Sequence, residues 1–150
     1  MEDLREIARG IHPAILSDGG LRPALRTLAR RAAIAVELDV AAIGRLPEPV
    51  EVAAYYVVSE ALTNATRHAR ASVVEVDADA SGGTLRLCVR DDGAGGADPL
   101  RGSGLTGLKD RIEALGGAFR VHSPAGRGTT VSCELPVLAS AGQPGAGSGA

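Results

Sequence analysis

Residues 84–96 read TLRLCVRDDGAGG, and how that stretch folds constrains the arrangement of the rest of the chain. Leu85, Leu87 and Val89 alternate with Arg86, Cys88 and Arg90, the period-two pattern of a strand with one apolar face. The strand then meets two carboxylates and three glycines. Asp-Gly is turn chemistry, so a surface turn is one reading of the tip. The other reading sets Asp91 at the strand end facing a ligand, with the glycines letting that ligand come close.

Four more segments alternate in the same way: 34–40 (IAVELDV), 73–80 (VVEVDADA), 119–123 (FRVHS) and 129–136 (TTVSCELP). Three helical stretches accompany them. In 20–32 Leu21, Leu25 and Leu28 recur at helical spacing. Residues 48–70 hold no glycine and one early proline, Pro49, suited to a first turn, so a single long helix is expected. The third stretch is 106–117, TGLKDRIEALGG. This order is not a strict βαβ repeat. It predicts an α/β (α+β) two-layer sandwich, in which a mixed, mostly antiparallel sheet of about five strands carries helices on one face.

A chain of 150 residues is one domain with room for a real core. It is 45% hydrophobic but only 2% aromatic, with no Trp, so the core is built from Ala, Val, Leu and Ile. A net charge of −2 gives no reason to expect nucleic acid, and scarce aromatics argue against base-stacking platforms. Cys88 falls on the polar parity of its strand and Cys133 on the apolar parity, so no disulfide is expected and a reducing cytosol fits. No apolar run reaches membrane-spanning length, and the first residues lack a signal-peptide pattern; a cytoplasmic segment without membrane contact is expected. Residues 2–9 (EDLREIAR) look helical until Gly10 and Pro13 interrupt them, and the small-residue stretch 137–150 is expected to be a disordered tail.

Around the long helix, Glu60, Asn64 and Arg67 fall within one arc at i, i+4 and i+7, with His68 a quarter-turn aside. A solvated polar face is the plain reading, and Arg67, His68 and Arg70 suit a helix C-terminus. The chemical reading gives each a task. The Asn64 amide oxygen suits Mg²⁺, Arg67 can grip phosphate oxygens, and Glu60 can act as a base or hold a metal-bound water. Two further glycine clusters complement them. GSGLTG (102–107) opens a helix, whose free N–H groups form an anion site. GRGTT (126–130) leads into a strand, where Gly128 and Thr129 can offer an N–H and a hydroxyl to phosphate. Neither a Walker A loop nor a Rossmann fingerprint is present.

The order of these boxes, ExxxNxxRHA, a strand ending DxGxG, GxGLxG and GxGTT, resembles the ATP-binding domain of sensor histidine kinases, within the wider GHKL ATPase group. The resemblance covers roughly residues 12–136. RGIHPAIL, GRLPEPVE, EALTNATRHARAS, RDDGAGGADP and GSGLTGLKDRIEALGG look most like the subgroup that pairs with helix-turn-helix response regulators. It implies ATP and Mg²⁺ as cofactors. Asn64 matches the Mg²⁺-binding Asn, with Glu60 as its acidic companion. Arg67 stands where Lys is more usual, beside the family's His at His68. Asp91 accepts the adenine amino hydrogen, with Gly93 and Gly95 permitting approach and Asp92 a solvated neighbour. Gly102, Gly104, Leu105 and Gly107 shape a lid, mobile without nucleotide, over the phosphates, and Gly128 and Thr129 close the site.

A phosphoacceptor His on a dimerising hairpin is also implied, together with a cognate response regulator. His12 precedes Pro13, which pushes it out of helical geometry. His122 lies in a strand and His68 on the nucleotide side. The acceptor is therefore expected outside this sequence, with 1–19 as hairpin tail and linker, 20–136 as the catalytic domain, and a monomeric fragment that binds ATP without phosphorylating itself. Two alternatives stay open: a stand-alone serine kinase of the anti-sigma-factor type, and an ATP-sensing module without chemistry.

Overall fold

The computed structural model describes residues 19–66, 70–95 and 104–137. The expected helix 2–9 and His12 lie outside them, as does 138–150 of the tail expected over 137–150; its first residue, Val137, instead donates its N–H to the Gly83 carbonyl at 2.9 Å. In chain order the elements are α1 (Leu21–Arg31), β1 (Ala35–Ala42), α2 (Glu48–Asn64), β2 (Val73–Ser81), β3 (Thr84–Asp91), α3 (Gly104–Ala114), β4 (Ala118–His122) and β5 (Thr129–Pro136). The five strands form one sheet in the order β1-β2-β3-β5-β4. β1 and β2 are parallel and the other neighbours antiparallel, giving the mixed, mostly antiparallel sheet that the alternation predicts.

Strand parity explains the layering. Val74, Val76, Leu85, Leu87, Val89, Val131, Cys133 and Leu135 are buried on the face that carries the helices. Glu75, Arg86, Arg90 and Glu134 take the opposite parity and stay exposed. Cys88 and Cys133 are both free, on opposite parities, and burial pushes the Cys133 thiol up to about 12.

The long helix departs from its expected pattern in two ways. It is buried on nearly every side, Val50, Val52, Ala53, Ala54, Tyr56, Val57, Val58, Ala61 and Leu62 included, because it packs between α1, α3 and the sheet. A helix with neighbours on three sides has no wide polar face to show. It also does not run regularly to residue 70: residues 65–66 form a wider π turn, and Arg70 has φ 53, outside helical space. The Thr63 hydroxyl donates back to the Ser59 carbonyl at 3.1 Å, the kind of side-chain competition that loosens a helix end.

Glu51 sits in the first turn of α2 yet is only 2% exposed. Its Oε2 accepts the Leu46 N–H at 3.1 Å and lies 3.4 Å from Nε of Arg45, so the buried charge is paired.

Candidate functional site

The sheet register brings several ends together. Val74, at the start of β2, pairs with Asp91, at the end of β3, and Asp91 pairs with Thr129, at the start of β5. α2 closes just before β2 begins, so Asn64 lies at this same end. The start of β4 is beside Glu134, far from Thr129, and α3 leads into it through a tight turn at 115–117. α3, 11 residues and about 16 Å long, packs on α2 and β4. A helix C-terminus bearing Asn64 and a carboxylate at a strand tip thus share one end of the sandwich.

Asp91 has the parity of Leu85, Leu87 and Val89, so it faces the helix layer. Its Oδ1 accepts the Gly93 N–H at 2.8 Å and the Thr129 N–H at 3.3 Å. No hydrogen bond to Oδ2 is found among the described residues, so one carboxylate oxygen is held in place by the other and left open. The glycines hold the backbone around it. Gly95 (φ 71) sits so close to the 123–128 turn that a Cβ would overlap the Pro124 carbonyl oxygen. Gly128 (φ 76) would put a Cβ onto the Asp91 carbonyl itself. Side chains are excluded at both positions by space as well as by φ.

Thr129 is buried, its N–H given to Asp91 and its hydroxyl 2.7 Å from that of Ser123. It is set beside Asp91, with its polar groups engaged there. Glu60 and Asn64 are both half-buried near the end of α2, and the Asn64 side chain makes no hydrogen bond among the described residues. Gly104, Leu105 and Gly107 begin α3. Arg67, His68 and Gly102 lie outside the described residues.

Asp92 is the residue whose role the sequence reading missed. It is exposed, as a solvated neighbour would be, but its Oδ1 accepts the N–H groups of Val73 at 3.1 Å and Ser72 at 2.7 Å. Those two bonds hold its carboxyl below the ordinary carboxylate range. No local signal marks this, because the partners lie 19 and 20 residues away.

Residues 50–139 match the family described as histidine kinase-, DNA gyrase B-, and HSP90-like ATPase. The chain belongs to this ATPase family. ATP is therefore the ligand that the family implies. The oxygen sensor histidine kinase NreB of Staphylococcus carnosus is 31% identical over 146 residues, covering 91% of this chain and 42% of NreB. The histidine-protein kinase/phosphatase DegS of Brevibacillus brevis is 31% identical over 145 residues, covering 91% of this chain and 38% of DegS. Among solved structures, the blue-light activated histidine kinase of Erythrobacter litoralis EL346 superposes with a TM-score of 0.67 at 29% identity, over 84% of this chain and 44% of that one. These similarities place the ATPase domain with the catalytic domains of sensor histidine kinases, and they do not favour the serine-kinase alternative. It spans about two-fifths of the length of these curated relatives. Among the described residues no helix is long and apolar enough to cross a membrane.

Proposed function

We propose that this domain binds Mg·ATP and presents the γ-phosphate to a phosphoacceptor His on a separate dimerising hairpin, as the catalytic part of a two-component sensor histidine kinase. In this reading 20–136 is the catalytic domain and 1–19 the hairpin tail and linker. The hairpin and a cognate response regulator of the helix-turn-helix type are its partners, in the cytoplasm. The segment touches neither nucleic acid nor membrane, is monomeric by itself, and does not phosphorylate itself.

The residues present fit the nucleotide. The open Oδ2 of Asp91 accepts a hydrogen from the adenine amino group, and its fixed Oδ1 denies it freedom to turn away. Guanine carries a carbonyl in place of that amino group, so a carboxylate there repels it. Gly93 and Gly95 keep side chains out of the approach. Oxygen donors suit Mg²⁺, and the half-buried Asn64 amide and Glu60 carboxylate supply them. Bound Mg²⁺ would neutralise charge on the phosphates. The first N–H groups of α3, with Gly102, Gly104, Leu105 and Gly107, would take phosphate oxygens, and Arg67 and His68 would add positive charge. Gly128 and Thr129 act on adenine through Asp91.

The Asp91 carboxylate, half satisfied and half open, is the observation that carries this reading. Thermal melting with Mg·ATP, Mg·GTP or no nucleotide tests it, in the wild type and in Asp91→Asn. Ligand at about 100 times Kd adds about 2.7 kcal/mol, or roughly 5–11 °C at this size. ATP should give that rise and GTP none, and Asp91→Asn should fold but not respond. Equal responses to ATP and GTP would sink the adenine assignment.

A further inference from the structure

We infer that Asp92 is a positioning residue: it fastens the end of α2, and with it Asn64, to the tip of β3 that carries Asp91. This deepens the nucleotide-binding reading above and rests on it.

Three consecutive N–H groups make the connection. Ala71 donates to the carbonyl of Ala65, at the end of α2, at 3.2 Å. The next two, Ser72 and Val73, both donate to Oδ1 of Asp92, at 2.7 and 3.1 Å. A chain of hydrogen bonds thus runs from Ala65, the residue after Asn64, to Asp92, the residue after Asp91. The β2–β3 ladder begins only at Val74, opposite Asp91. Ser72 and Val73 therefore have no partner in β3 itself, and Asp92 supplies the acceptor that the ladder does not. Arg70 has φ 53 and the helix has already widened into a π turn, so regular helix geometry does not dictate the path from α2 into β2. Asp91 fixes the adenine end of a nucleotide and Asn64 the metal end, and the span between them has to match one ligand. Asp92 holds that span.

The two acids therefore divide the work. Asp91 is seated by the ladder and by Gly93 and Thr129, and does not depend on Asp92. Loss of Asp92 should leave adenosine binding intact and weaken only what the phosphates and metal add.

The test compares Asp92→Ala and Asp92→Asn with the wild type by calorimetric titration, using adenosine without metal and a non-hydrolysable ATP analogue with Mg²⁺. Asp92→Ala should weaken the Mg·analogue roughly tenfold or more, the scale at which outer-shell partners act on metal sites, with adenosine unchanged. Asp92→Asn keeps an oxygen that can accept both N–H groups, and should restore most of the loss. Equal weakening of both ligands, no weakening of either, or failure of Asn to rescue would overturn the inference. Hydrogen exchange without nucleotide gives a second reading. In Asp92→Ala, amides at 62–65 should exchange faster while those at 53–57 do not. If the wild type binds neither ligand, the ATP assignment falls, and exchange still decides the clamp: unchanged protection at 62–65 refutes it.

Discussion

Two glycines in the 124–128 turn allow the packing around Asp91 to be separated from backbone preference. Gly126 has φ 79 and Gly128 φ 76, so alanine at either suffers the same left-handed strain, about 1–2 kcal/mol. Their surroundings differ. A Cβ on Gly126 meets nothing within 4 Å. A Cβ on Gly128 overlaps the Asp91 carbonyl oxygen, stands 3.1 Å from its carbon and lies 3.4 Å from Cα of Asp92, all backbone atoms that cannot rotate aside. Overpacking of this kind adds about 1–3 kcal/mol. Gly128→Ala should therefore melt roughly 2–12 °C below Gly126→Ala, at about 2–4 °C per kcal/mol. The functional contrast is sharper. The strand tip has to move for the new methyl to fit, and Oδ2 of Asp91 moves with it. Gly126→Ala should keep the rise in Tm that saturating Mg·ATP produces, and Gly128→Ala should lose most of it. Differential scanning fluorimetry of the two variants, with and without Mg·ATP, measures both effects together. Equal melting and equal ATP response would refute the idea that Gly128 exists to seat Asp91.

Two further outcomes follow from buried groups. Glu51→Ala removes the acceptor of the Leu46 N–H and the partner of Arg45; losing a charged hydrogen bond of this kind costs about 1.5–3 kcal/mol, so urea denaturation should show that loss, and a change within error would show the pair to be idle. Burial raises the Cys133 thiol to about 12 and also raises the half-buried Cys88, where Arg90 partly opposes the shift. Raised values keep both as thiols at mildly alkaline pH, so iodoacetamide should label Cys88 slowly and Cys133 only when the protein unfolds; rapid labelling of native Cys133 would contradict its place in the core.

The sheet was legible because strands report themselves locally. Leu85, Leu87 and Val89 alternate with Arg86, Cys88 and Arg90, and the same arithmetic put Cys133 inside and Cys88 outside before any pairing was known. The helices were less so. The pattern over 48–70 shows that a helix forms, but not that three neighbours surround it, and burial of Tyr56 or Ala53 depends on those neighbours. Glu51 looks like an ordinary first-turn acid for the same reason: its burial is set by the way Arg45 and Gly20 fold over it. The end of α2 is irregular through Thr63 and Arg70, which no helical periodicity records.

The pair Asp91–Asp92 shows where local reading stops. Parity along β3 is enough to send residue 91 to the same side as Leu85, Leu87 and Val89, under the helices, whereas the ligand proposed for it comes from the order of the motifs and not from the strand. Residue 92 is the first beyond the strand. Once it leaves the ladder, parity no longer fixes its direction, and what it meets is decided by register with β2. That register is set at Val74, opposite Asp91, which leaves the amides of Ser72 and Val73 just past the last rung and within reach of the first side chain beyond β3. An acid at 92 is useful only because α2 is followed so closely by β2 that those amides still report the position of Asn64. Adjacent, chemically identical residues thus acquire different roles because one is the last residue of a strand and the other is not.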